Sequence, residues 1–213
     1  MMNKGIRLAK LLAVLGFVIC QIPQLIAQHT GPACAERIYN NNEQIDAKRW
    51  FDAGLAKCDD DASYATTDLL NNGQISSYIM FENFGLDVPY DATIEGIEVV
   101  VIRRSHQAAR LSDRSVRLIR NGRLVGADLR SSEPWDDSWT AVYYGGENNI
   151  WGGSWAPALI NSDHFGVALS VEQLGGTSRA EIDEVLVTVY YSEQGDVYKT
   201  TNIRKRSCLP APF

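Results

Sequence analysis

From Ser63 onward the chain alternates apolar and polar residues in short runs cut by turn-forming residues. The clearest run is Ile94–Arg104, IEGIEVVVIRR. Ile97, Val99 and Val101 share one parity, and Glu98, Val100 and Ile102 share the other. A period of two is that of a strand. Apolar residues on both parities predict a strand inside a sheet. Ser115–Ile119 and the RLVGA run after it flank Asn121-Gly122, two residues that tolerate positive φ, which predicts a hairpin. Phe165–Val171 reads as a further strand. Gly175-Gly176 turns the chain back into Ala180–Tyr191, where Val185, Val187, Val189 and Tyr191 line one face.

Earlier elements are weaker. An apolar run ends at Leu69–Leu70, NNG at 71–73 makes a turn, and Ile75–Phe84 is a strand stopped by DVPYDA. Ala47–Ala56 fits a short helix. Residues 28–47, with an early Gly-Pro and NNNEQ at 40–44, read as irregular. Closely spaced strands, little helix and many glycines predict an all-β, antiparallel, jelly-roll-like β-sandwich. No long amphipathic helix lies between strands, which argues against a parallel α/β fold.

The first residues change the picture from fold to destination. MMNKGIRLAKLLAVLGFVICQIPQLIA has a positive start (Lys4, Arg7, Lys10), a short apolar core at Leu11–Cys20, and Ala27 at a position suited to cleavage. This is the layout of a secretory signal, and the apolar core is too short to span a bilayer comfortably. The expected organisation is a signal peptide at 1–27, an N-terminal extension at 28–47, the sandwich at 48–192 and a tail at 193–213. Removing 1–27 takes away three positive charges and no negative one, and moves the formal charge from −6 to −9. Such an acidic chain is a poor partner for nucleic acid, whose phosphates need Lys and Arg. No second long apolar stretch predicts a membrane span in the mature chain. The absence of any Asn-x-Ser/Thr sequon favours a bacterial source.

Secretion bears on the cysteines, because an oxidising destination favours disulfides. Cys34, Cys58 and Cys208 remain after cleavage. Cys34–Cys58 is the nearest pair, and its loop would stabilise the fold by about 3 kcal/mol in the chain-entropy model. Cys58–Cys208, tying the tail to the domain edge, is the alternative, and sequence leaves both open.

Candidate chemistry is sparse. Ser162, Asp163 and His164 are adjacent, but a nucleophilic triad needs its members to converge from separate positions. They read as a polar turn before the Phe165 strand. No paired-His spacing suggests catalytic zinc. Gly145-Gly146 and Gly152-Gly153 lack the Lys-Ser/Thr and helix start of a phosphate loop. Asp59, Asp60 and Asp61 supply the oxygen ligands that a structural calcium ion would want, without EF-hand spacing. Glu133, Asp136 and Asp137 flank Trp135 and Trp139. Aromatic platforms beside carboxylates suit a sugar-facing surface, and carboxylate pairs can also serve glycoside hydrolysis. Trp135, Trp139, Asp136, Asp137 and Tyr143 are therefore the candidate ligand-binding residues. Trp151 and Trp155 read instead as plugs for the open end of the sandwich.

Several blocks also share an order with a known module. They are YATTDL, FENFGLDVPYDATIEGIEVVVIRR, SVRLIRNGRLVGAD, YYGGENNIWGGSWAPALINSDHFGVALS and AEIDEVLVTVYY. The matching positions are Asn83-Phe84-Gly85, Ile94-x-Gly96-Ile97, Trp151-Gly152-x-x-Trp155, and Ile160-Asn161 through Phe165-Gly166. Over residues 48–192 the chain resembles a β-sandwich module that recurs in secreted bacterial surface proteins and some phage virion proteins. The resemblance implies a non-catalytic building or adhesion unit and brings no catalytic residue set.

Taken together, the sequence predicts a secreted or cell-surface bacterial protein that is not an enzyme and has a structural or adhesive role. Its expected partners are other extracellular subunits, joined through sheet edges or the tail, or surface glycans. No cofactor is expected beyond the calcium candidate. A lectin-like carbohydrate-binding module is the alternative function, and a small glycoside hydrolase the last one.

Overall fold

The computed structural model describes residues 27–41, 46–58, 62–108 and 110–193. They form ten strands: β1 Ala27–Cys34, β2 Arg37–Asn41, β3 Ala65–Leu69, β4 Tyr78–Glu82 and β5 Thr93–Ser105 come first. Then follow β6 Leu111–Arg120, β7 Arg123–Val125, β8 Thr140–Gly146, β9 Phe165–Gln173 and β10 Ser178–Ser192. One short helix, α1, spans Pro157–Ile160. All strand pairs are antiparallel. The first sheet runs β1-β10-β5-β8, with β3 also paired to β10. β1 pairs with the Leu186–Ser192 half of β10 and β3 with the Ser178–Ile182 half. The second sheet runs β2-β4-β9-β6-β7. This is the antiparallel β-sandwich that the alternating pattern predicts.

The parities of β5 and β10 decide which side faces in. Ile97, Val99 and Val101 pack with Val185, Val187 and Val189 against Phe81, Val116, Leu118, Phe165, Val167 and Leu169 of the facing sheet, all buried. Each fully buried side chain of this kind contributes about 1.5–3 kcal/mol. Val100 and Ile102, on the other side of β5, are half-buried. The β6–β7 hairpin turns at Asn121 and Gly122, both at positive φ (52° and 72°). That backbone twist matches the flanking strands.

Trp151 closes the sandwich. It is fully buried, and its indole N–H donates to the Ile97 carbonyl at 2.9 Å. Gly145, at φ 79°, has no room for a Cβ, which would lie 2.6 Å from the Trp151 indole nitrogen. That glycine serves close approach to an aromatic ring, and nothing about it suggests a phosphate loop. Trp155 packs edge-on against Phe165 at 5.5 Å. Cys34 and Cys58 form a disulfide, their Cα atoms 6.1 Å apart.

Two local expectations need correction. Ala47–Ala56 is not a helix: Lys48 and Phe51 bridge to Ser76 and Thr66, and only Ala53–Leu55 makes a 3-10 turn. Backbone pairing with the sheet wins over a weak helical pattern. Residues 28–47 are also not irregular throughout. β1 and β2 edge the two sheets through ladder hydrogen bonds with β10 and β4. The Asp59, Asp60 and Asp61 calcium candidates, the signal segment 1–26 and Cys208 lie outside the described residues. Among the described residues, no helix is long and apolar enough to cross a membrane. No group of three or more His, Cys, Asp or Glu among them is placed to hold a metal ion.

Candidate functional site

The alternation of β5 places two consecutive arginines on opposite sides of the first sheet. Arg103 follows Val99 and Val101 inward. Arg104 follows Val100 and Ile102 outward. A buried guanidinium is costly unless paired and hydrogen-bonded. Arg103 finds both. It forms an ion pair with Asp113, which β6 brings from the facing sheet, and both are nearly fully buried. The Trp135 indole N–H donates to Asp113 Oδ1 at 2.8 Å, the Tyr144 hydroxyl to Oδ2 at 2.8 Å, and the Ser131 amide to Oδ2 at 2.9 Å. The Arg103 guanidinium lies 4.5 Å from the Trp135 ring centre. Burial, and next the Asp113 charge, push the Tyr144 phenol well above its ordinary pKa. With both carboxylate oxygens taken, this network ties the two sheets together.

Trp135 therefore leaves the set of candidate binding residues. It is 1% exposed and its one polar atom is spent on Asp113. An indole can stack on a sugar only from a surface. Asp136 and Asp137 are exposed, and the Asp136 carbonyl accepts the Ser105 amide at 2.6 Å. The Glu133, Asp136 and Asp137 carboxylates make no ion pair or side-chain hydrogen bond.

Trp139 has different company. Arg104 stacks over its ring at 4.4 Å and lies 5.5 Å from the Tyr64 ring centre. Tyr64 meets Trp139 edge-on at 5.5 Å. Arg104 also pairs with Glu181. That hydrogen bond pushes its pKa upward against a smaller effect of desolvation, so the cation is permanent. Tyr64, Arg104 and Trp139, with Lys57, Ala62, Asp183 and Glu184, line a cleft of 450 Å³ on the outer side of the first sheet. Trp139 keeps 38% of its surface exposed. Tyr143, 66% exposed, follows on the same parity of β8. Four residues of extended chain place it about 13 Å from Trp139. Tyr64, Arg104, Lys57, Asp183 and Glu184 are absent from the sequence candidates. The one available signal is a pair of adjacent arginines in an apolar strand, where parity must put one of them outside.

A second depression, of 610 Å³, lies over the outer side of the second sheet. Arg37 of β2, Glu82 of β4, Tyr39, His164 and the Asn121-Gly122 turn line it. Arg37 pairs with Glu82, and its Nη2 also donates to the Asp163 carbonyl and to His164 Nδ1, each at 3.1 Å. Glu82 is 1% exposed because it packs over Gly166, where a Cβ would lie 2.8 Å from its Cγ. Its Oε1 has no hydrogen-bond partner. Burial, then the Glu82 charge and the close approach of the phenol to that carboxylate, raise the pKa of the neighbouring Tyr39 phenol. His164 thus faces Arg37. Ser162 Oγ accepts the His164 backbone amide at 3.2 Å and the Ser162 carbonyl accepts the Phe165 amide at 2.9 Å. The Ser-Asp-His run is a polar turn.

No family model matches the chain. No curated protein matches it either. Among solved structures, a sugar-binding protein from Bacteroides thetaiotaomicron, described as putative, is 16% identical with a TM-score of 0.40, over 73% of this chain and 88% of that one. The C-terminal family 6 carbohydrate-binding module of LamC, from Zobellia galactanivorans, is 14% identical with a TM-score of 0.34, over 76% of this chain and 99% of that one. The CBM22-1 xylan-binding domain of Paenibacillus barcinonensis Xyn10C is 10% identical with a TM-score of 0.36, over 76% and 85%. These neighbours are β-sandwich carbohydrate-binding modules or sugar-binding proteins of bacteria. No ligand contact is transferred from them.

Proposed function

We propose that this protein is a secreted, non-catalytic β-sandwich that binds carbohydrate through the Trp139 cleft. One observation carries the reading: a tryptophan 38% exposed at a cleft whose other walls, Ala62 apart, are charged or aromatic. A sugar ring has an apolar face and a rim of hydroxyls. The open side of an indole takes the first, and Lys57, Arg104, Asp183 and Glu184 offer donors and acceptors for the second. Tyr143, further along the same side of β8, extends the platform by the length of a short oligosaccharide. Arg104 holds the Trp139 ring from beneath, so little side-chain freedom is lost on binding. A structural or adhesive role at the cell surface would use the same contact, with the glycan as the surface being gripped.

Affinity electrophoresis through gels containing soluble polysaccharides tests this directly. At least one polysaccharide should retard the mature protein, and Trp139→Ala should abolish the retardation while leaving the melting temperature nearly unchanged. Unretarded migration in a broad panel of neutral and acidic polysaccharides, or equal retardation of the variant, would refute the proposal.

A further inference from the structure

We infer that the depression over Glu82 is a second, separate binding site, for a saccharide unit that carries a carboxylate beside its hydroxyls. Its volume of 610 Å³ falls within the range of small-ligand sites, roughly 300–1,000 Å³. The polar groups around it are incompletely used, and they sort by type. Donors stand at the rim. Arg37 Nη1 makes no hydrogen bond, since its contacts run through Nε and Nη2. Arg37 can only donate, so His164 Nδ1 accepts, which leaves Nε2 as the ring's donor. The Asn121 side-chain amide has no partner; only its backbone is engaged, by the His164 carbonyl at 3.1 Å. The acceptor lies at the floor, where Glu82 Oε1 is buried and unpartnered.

The charge around the depression points the same way. Arg120 and Arg123 flank the Asn121-Gly122 turn, are exposed, and make no ion pair. Arg37 and Glu82 offset each other, which leaves Asp163 as the carboxylate beside His164. On a chain of formal charge −6, this is a locally cationic corner. A ligand carboxylate suits the rim, because charge-assisted pairing with arginine is the strong form of such a bond. A ligand hydroxyl suits the floor. Arg37 keeps its pair with Glu82 through Nε and Nη2 and donates from Nη1 to the ligand carboxylate, while a ligand hydroxyl donates to Glu82 Oε1. Glu82 then keeps its cation. A neutral sugar has no carboxylate for Arg37, Arg120 and Arg123 and gains only the hydroxyl contact.

This site shares only the saccharide class with the Trp139 cleft, and the two fail separately. The test is calorimetric titration of the mature protein with an oligogalacturonate and with the matching oligogalactose, which has hydroxymethyl groups in place of carboxylates. The acidic oligomer should bind at least about tenfold more tightly, the worth of one charge-assisted bond. Arg120→Gln/Arg123→Gln and Asn121→Gly, which keeps the positive φ of the turn and removes only the amide, should each weaken it several-fold and leave the melting temperature nearly unchanged. Trp139→Ala should leave the acidic oligomer's affinity intact. Equal affinity for the two oligomers, no response to either hairpin variant, or loss of binding in Trp139→Ala would overturn the inference.

Discussion

Arg103 and Arg104 are neighbours in sequence and near-copies in surroundings. Each pairs with a carboxylate, Asp113 or Glu181, and stacks on a tryptophan, Trp135 at 4.5 Å or Trp139 at 4.4 Å. Each also has a tyrosine close by, Tyr144 at 6.0 Å and Tyr64 at 5.5 Å. What separates them is enclosure. The inner set lies between two sheets, and every lone pair of Asp113 that a donor can reach is used. The outer set lies on one sheet, where Glu181 is buried but Arg104 and Trp139 remain partly open. The same four residue types thus make a structural clamp in one case and a candidate binding surface in the other. Residue type alone does not define a site; the accessible, unspent part of each side chain does.

The comparison breaks first, and hardest, at the carboxylates. Asp113→Asn removes the counter-charge of a buried guanidinium and should cost about 3–5 kcal/mol, the range for breaking a buried pair. Glu181→Gln leaves Arg104, whose side chain is 30% exposed, to be solvated. Glu181 itself is buried, so the loss should be about 1–3 kcal/mol, still below that of Asp113→Asn. Urea midpoints of the two variants against the parent measure both. Similar losses would mean that enclosure does not distinguish the pairs.

The tryptophans should then split stability from binding. Trp135→Ala deletes a fully buried ring and strands Asp113 without one of its donors, at about 3–5 kcal/mol. Trp139→Ala removes a half-open ring and should lie within about 1 kcal/mol of the parent, while polysaccharide retention disappears. The disulfide lies between these extremes. Cys34→Ala/Cys58→Ala should lose about 3 kcal/mol, because the tie shortens the unfolded chain's freedom over a loop of that size. A thermal melt of the double variant reads this.

How much of this was legible in the sequence follows from the same contrast. The strand pattern, the Asn121-Gly122 turn and the inward row of Val185, Val187 and Val189 depend on period and parity, which any chain segment carries within itself. The sandwich therefore came through. β1 and β2 did not, because AQHTGPAC and RIYNN become strands through partners far along the chain. Trp135 and Trp139 were indistinguishable as letters: both sit in a polar loop beside acidic residues. Their fates are set by Asp113 and Arg104, contributed by strands that only the folded topology brings there. The Glu82 depression was hidden for a further reason. Its meaning rests on one oxygen without a partner, and a missing contact leaves no trace in a sequence.

A pH-dependent effect sharpens the comparison from the inner side. Tyr144 keeps its proton in the folded state well beyond pH 10.0, its ordinary value, because burial and Asp113 both disfavour the phenolate. The unfolded chain releases that proton near pH 10. Tyr144 therefore stabilises the fold fully below that point, and the stability drains away as pH rises above it. The slope from one proton is about 1.4 kcal/mol per pH unit. Tyr144→Phe should be weaker than the parent at neutral pH by one charge-assisted hydrogen bond, about 1.5–3 kcal/mol. Its unfolding free energy should then fall less steeply between pH 10 and 12, so that the two curves converge. Denaturant titrations across that range follow the gap between them, and a gap independent of pH would mean that Tyr144 ionises in the folded protein and that the clamp is open to water after all.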